Sequence, residues 1–146
     1  MGRVCDVLVT SSRGPAEVVT NPSPRSILRV YLAPMPSFIK SVTFDCHDPL
    51  RVAAFWAEAL GSNVDEDSTP ERAWVEPAGW GGPNLWFQKV PEAKSAKNRQ
   101  HFDLRVMGPL QVERDRLVAL GATVTVEHEG LYVMADPEGN EFCLET

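Results

Sequence analysis

The sequence predicts an α+β fold made of two copies of a β-α-β-β-β module. Three observations carry that prediction: self-similarity at an offset of 60 residues, a strand-then-helix pattern opening each copy, and proline/glycine turns at matching places. At that offset Ser41–Val52 lies over His101–Val112, with Pro49/Pro109, Leu50/Leu110 and Val52/Val112 identical. The register continues without a gap: Ala59-Leu60-Gly61 meets Ala119-Leu120-Gly121, Val64 meets Val124, and Glu76-Pro77-Ala78-Gly79 meets Asp136-Pro137-Glu138-Gly139. An insertion near Trp80 to Gly82 then brings Asn84–Gln88 opposite Glu141–Glu145.

Each element has its own signal. Residues 39–46 and 101–106 alternate, with Val42, Phe44 and Cys46, then Phe102, Leu104 and Val106, on the apolar face, which is the period of a half-buried strand. A helix follows. Asp48 is an N-cap, Pro49 suits the first helical position, Leu50, Ala53, Ala54, Ala57 and Leu60 form a stripe, and Gly61 suits a left-handed C-cap. Gly108, Pro109, Leu110, Leu117, Leu120 and Gly121 repeat the plan. Short β-rich runs complete each copy, punctuated by Pro77-Ala78-Gly79 and by Asp136-Pro137-Glu138-Gly139. Module 1 spans about residues 38–92 and module 2 about 99–146.

With 146 residues and 43% hydrophobic side chains, the chain has room for one cored domain. Residues 1–37 differ in texture: they hold five of the twelve prolines, show no sustained period and read as an N-terminal extension without regular structure, apart from one short strand over Val4, Val7, Leu8 and Val9. Met35 stands where the repeat is about to begin, so it reads as an alternative initiator, and the sequence leaves open whether residues 1–34 belong to the native protein. The extension carries +2 and the remainder −8 of the net −6, an acidic body that argues against nucleic acid as a partner. Cys5, Cys46 and Cys143 are odd in number and far apart, with no CxxC pair and no secretory leader before them, which reads as reduced thiols in the cytoplasm. No apolar run approaches the roughly 18 residues that span a bilayer, so no membrane is expected as a partner.

A strand opening with His101, a helix ending in Ala119-Leu-Gly-Ala122, and Met134-Ala-Asp-Pro-Glu-Gly-Asn-Glu-Phe-Cys143 together resemble the glyoxalase-like branch of the vicinal oxygen chelate superfamily, the glyoxalase/bleomycin-resistance/dioxygenase group. The resemblance covers about residues 38–146. It implies a curved mixed sheet around a ligand cup, with the helices on the convex side. On that architecture the strand faces opposite the apolar set look into the cup. They bring Ser41, Thr43 and Asp45, then Trp86 and Gln88, then His101, Asp103 and Arg105, and finally Glu141, Cys143 and Glu145. Such a lining suits a small-molecule ligand.

Catalytic relatives hold a divalent metal at positions that match Ser41, Trp86, His101 and Cys143, and only His101 among these is an ordinary ligand; a slip of two residues would offer Gln88 in place of Trp86. No cofactor is therefore expected, with a divalent metal as the alternative. Each residue has a plainer reading beside the functional one. His101 is either a strand-opening histidine or a ligand contact, Asp103 and Arg105 are either ion-pair partners of Asp45 or an anion clamp, and Cys143 reads as a small hydrophobe. Trp56 reads as packing, while His47 and His128 read as surface. The favoured function is a metal-independent small-molecule binding protein, or an enzyme of undefined reaction, in this family. A metal-dependent lyase, isomerase or dioxygenase is the alternative, and a dimerisation module with a vestigial cup is the third. A homodimer is the expected assembly. Ligand and reaction stay open.

Overall fold

Alternating apolar residues make Ser41–Cys46 the first strand, β1, and Asp48 turns the chain into helix α1, Pro49–Leu60. The Asp48 side chain accepts from the Arg51 N–H at 3.1 Å, and Pro49 fills the first helical position, where no N–H is needed. Strands β2 (Arg72–Val75) and β3 (Asn84–Lys89) complete the first copy. The second holds β4 (Phe102–Arg105), α2 (Leu110–Ala119), β5 (Thr123–His128), β6 (Leu131–Ala135) and β7 (Glu141–Glu145). This computed structural model describes residues 37–76 and 82–146; the strand expected over Val4–Val9 and the turn expected at Pro77-Ala78-Gly79 lie outside them.

The duplication is visible in the hydrogen bonding. β1 and β3 are parallel with Val42 opposite Leu85, and β4 and β7 are parallel with Phe102 opposite Phe142, the same pairing once the insertion before Asn84 is allowed for. The helix ends share two hydrogen bonds: Gly61 N–H donates to Glu58 and Ser62 N–H to Ala57, as Gly121 N–H does to Val118 and Ala122 N–H to Leu117. They differ in that Gly61 itself caps α1, whereas α2 stops one residue earlier and is capped by Leu120. Both glycines have positive φ, 64° and 109°, where a Cβ would be strained.

The copies part company at one strand. The second sheet has four strands in the order β4-β7-β6-β5, whereas the first has three, β1-β3-β2. Where module 1 should carry its second strand there are only two isolated bridges, Val64 with Val75 and Thr69 with Arg72. The local sequence explains this. Asp65 O accepts from Ser68 N–H at 3.1 Å and the Asp65 side chain accepts from Asp67 N–H at 2.9 Å, so the chain curls into a turn where the other copy has Thr123-Val-Thr-Val. That turn still covers the edge of β2, because Asp65 N–H donates to Trp74 O and Ser68 Oγ accepts from Trp74 N–H.

The core belongs to both copies. Helix α1 buries Val52, Ala53, Phe55, Trp56 and Ala57, while Leu50 and Ala54, expected in its apolar stripe, are exposed. Aromatic bulk decides the rotation: Phe55 and Trp56 seek burial more strongly than Leu50 and Ala54. Trp56 packs on Phe44 of β1 and reaches Phe102 and Phe142 of the other sheet, with ring centroids 5.3 to 5.8 Å apart. Its indole N–H donates to Asp136 Oδ2 at 3.1 Å. Asp136, itself buried, also accepts from the N–H groups of Glu138 and Asn140 and from the Asn140 amide. Glu138 in the same turn accepts from the N–H groups of His47 and Asp48 at 2.7 and 2.6 Å. The Asp-Pro-Glu-Gly-Asn turn of module 2 thus anchors the start and the middle of the module 1 helix. Among the described residues no buried side-chain polar atom lacks a partner, and no helix is long and apolar enough to cross a membrane.

Candidate functional site

With α1 covering one face, strand alternation presents the remaining side chains on the helix-free face of each sheet. On the first sheet, Thr43, Trp86 and Trp74 form one row across β1, β3 and β2, and Asp45, Gln88 and Arg72 form the next. Ser41 begins a third row opposite Asn84. Trp74 and Trp86 stack, centroids 4.8 Å apart and planes 15° from parallel, and both stay partly exposed. On the second sheet, Asp103 lies beside Cys143 and Arg105 beside Glu145.

The second sheet gathers its functional groups tightly. His101 Nδ1 lies 2.8 Å from Asp103 Oδ1 and 3.9 Å from Cys143 Sγ. Thiol and carboxylate meet the same ring nitrogen, so the imidazole does not bridge them as it would in a nucleophile-base-acid relay, where each ring nitrogen has its own partner. Burial raises the Cys143 thiol above its ordinary value, and the neighbouring Asp103 carboxylate adds to the rise, so the site holds a thiol rather than a thiolate at neutral pH. Arg105 reaches Glu145 at 3.9 Å. The ion pairs expected between Asp45 and the Asp103/Arg105 pair do not form, because each of the latter finds a partner on or next to its own sheet. His47 is exposed, with Nε2 3.1 Å from Glu92 O, and His128 is exposed at the end of β5.

Two cavities flank the seam between the copies. One of about 1360 Å³ runs from β1 to the segment joining the modules and takes in Thr43, Asp45 and His101. Its wall is fixed by Glu141, which accepts from Asn98 N–H at 3.1 Å and pairs with Lys94 at 3.1 Å. Burial works against that carboxylate, yet these partners leave it below its ordinary range. The other, about 920 Å³, is bordered by Asp103 and Arg105 and is otherwise largely apolar, with Leu60, Leu85 and Met107. Ser41, Trp86, Gln88, Cys143 and Glu145 line neither and lie on the open sheet faces. Trp74 and Arg72 were absent from the sequence-based set. The signal was there in Arg72-Ala-Trp-Val75, whose alternation with buried Ala73 and Val75 places the other two on the same face as Trp86.

The residues present do not fit a hard divalent ion. Trp86 has no lone pair to offer and is stacked on Trp74, while the atoms that do converge, from His101, Asp103 and Cys143 within 4.8 Å of one another, are one nitrogen, one oxygen and one sulfur, all from module 2. Magnesium or manganese demands an oxygen-rich octahedral shell.

A family model for the glyoxalase-like domain matches residues 41–145. No curated protein matches the chain in sequence. Among solved structures, a glyoxalase/bleomycin resistance protein/dioxygenase family enzyme from Burkholderia phytofirmans is similar, with 19% identity and a TM-score of 0.59 over 74% of this chain and 97% of its own. The fosfomycin resistance protein FosX from Mesorhizobium loti shares 14% identity, with a TM-score of 0.60 over 77% of this chain and 93% of its own. A mutant of FosX from Listeria monocytogenes, complexed with Mn(II) and 1S,2S-dihydroxypropylphosphonic acid, shares 15% with a TM-score of 0.59, over 76% and 90%. At these identities the likeness speaks for the fold.

Proposed function

We propose, for a chain that belongs to the glyoxalase-like domain family, that the helix-free faces of its two sheets hold a small molecule without a divalent metal. The observation that carries this reading is the Trp74–Trp86 stack, which turns one of the family's ligand positions into an aromatic wall. The polar groups available to a ligand are Ser41, Thr43, Asp45 and Gln88 on one sheet and Asp103, Arg105, Cys143 and Glu145 on the other, with His101 just before β4. Such a mixture of aromatic, cationic, anionic and hydroxyl groups suits a small amphipathic molecule. Native mass spectrometry of the purified protein should find a co-purifying organic molecule or a bare chain. Chelator should leave folding and ligand retention unchanged, and His101→Ala should weaken ligand retention with no change in metal content.

One observation favours a second reading. His101, Asp103 and Cys143 are a donor set that zinc accepts, and zinc would pull the thiol to thiolate. On that reading the protein is a metal-dependent lyase, isomerase or dioxygenase. Elemental analysis showing about one zinc, iron or manganese per chain, lost on substituting His101 or Cys143, would establish it and overturn the first.

A further inference from the structure

Among the features left unexplained by packing, the indole pair on the first sheet has the most specific chemistry. Trp74 and Trp86 face each other across β2 and β3, and neither indole N–H has an acceptor among the described residues. Among the described residues no guanidinium lies over them, and the cation–π contact found is Arg114 over Tyr132, in module 2. One row along the strands and one strand over from Trp86, roughly 8 Å away between backbone positions by the rise of two residues and the strand spacing, Asp45 has no ion-pair partner among the described residues. Residues 38–146 carry a net −8, so the field around the platform draws cations. The outer face of an aromatic stack, an open carboxylate near it and an acidic body select the same kind of guest.

We propose that the Trp74–Trp86 pair is a stacking platform for a planar aromatic cation. This deepens the small-molecule reading above and rests on it. The facing sides of the two indoles are taken by each other, so the flat ring lies against the outer face of the stack, on Trp86 beside Thr43, gaining dispersion and the attraction of that electronegative face for positive charge. An N–H or ammonium edge reaches Asp45 and the Gln88 carbonyl, while the Thr43 hydroxyl, in register with Trp86, fills the end of the row. Arg72, opposite Gln88, opposes a cation and sets an upper limit on affinity.

The test uses the full chain and proflavine, a planar aromatic cation, followed by equilibrium dialysis and quenching of tryptophan emission. Tetraethylammonium serves as a non-planar cation and 9-anthracenecarboxylate as a planar anion. Proflavine should bind in preference to both; Trp86→Leu should weaken it by about tenfold or more, the scale of losing one stacking partner, and Trp74→Leu, which removes the ring that holds Trp86 in place, should weaken it as well. Trp86→Phe, which keeps a ring and guards against misfolding of the leucine variant, should retain most of the binding. Arg72→Gln should strengthen it, and added salt should weaken it. The stack itself should give an exciton couplet in the far-ultraviolet circular dichroism that either leucine variant abolishes. Equal binding of the planar anion overturns the cationic assignment. No binding of proflavine to the wild type, or binding that survives both leucine variants, overturns the platform. If binding survives those variants but falls with His101→Ala, the platform is wrong while the small-molecule reading stands.

Discussion

Cys46 and Cys143 show how place decides the chemistry of one side chain. Cys46 is buried beneath α1; burial first, then the carboxylates of Glu138, Asp136, Asp45 and Asp48, pushes its thiol from 9.0 up to about 12. The folded chain therefore holds that proton more tightly than the unfolded chain. The stability this contributes is complete below the ordinary thiol value and is lost as pH rises toward about 12. In urea unfolding, the stability gap between wild type and Cys46→Ala should narrow through the alkaline range; a constant gap would contradict the assignment. Cys143 is partly exposed, and alkylation followed site by site by mass spectrometry should find it slower than an unperturbed thiol at neutral pH. Asp103→Asn should speed it, since that carboxylate helps raise the thiol. Trp56→Phe keeps most of the apolar volume but leaves a buried Asp136 oxygen with one donor fewer, at a cost of about 1–3 kcal/mol. That His101 and Cys143 share one neighbourhood follows from the family resemblance, which matches both to ligand positions of catalytic relatives, and their atoms lie 3.9 Å apart. The role of Asp136 was not, because its indole partner lies 80 residues away.

At the scale of elements, the helix ends give the sharpest comparison. Gly61→Ala and Gly121→Ala should each cost about 1 kcal/mol in denaturant unfolding, because both positions have positive φ. Crowding is not the reason: a Cβ at Gly61 meets nothing within 4 Å, and at Gly121 only Pro137 Cγ at 3.5 Å. Unequal costs with Gly61 free of penalty would break the equivalence of the two helices. Arg116 adds a tie between them, pairing with Glu113 while donating to the carbonyl oxygens of Glu58 and Ala59 at the end of α1. Its replacement by alanine strips those carbonyls of a cationic cap. Strand and helix order were legible because alternation and capping are local signals. The loss of module 1's second strand was not read, since Val64 matched Val124 while the turn-forming Asp65-Glu66-Asp67 beside it carried the decisive preference. The helical stripe was misplaced for a related reason: spacing alone does not say which of two overlapping faces meets the aromatic cluster.

In the whole domain, Phe38–Thr146, the two sheets share one aromatic cluster, in which Phe44, Trp56, Phe102 and Phe142 come from both copies. Unfolding should therefore follow a single transition by fluorescence and circular dichroism; two separated transitions would mean that the copies are independent. A chain beginning at Met35 is expected to keep the full melting temperature, and a fall of several degrees would make the extension part of the fold. The Asp136–Asn140 turn has a further consequence. Glu138 and Asp136 belong to the second half of the gene, yet the groups they satisfy, the N–H of His47 and Asp48 and the indole of Trp56, belong to the first. Each half, expressed alone, would carry unmet hydrogen bonds and half an aromatic core. Cut within residues 91–98, the domain should behave as a pair of fragments that are unstructured apart and reassemble when mixed, a protein that can be split but not halved.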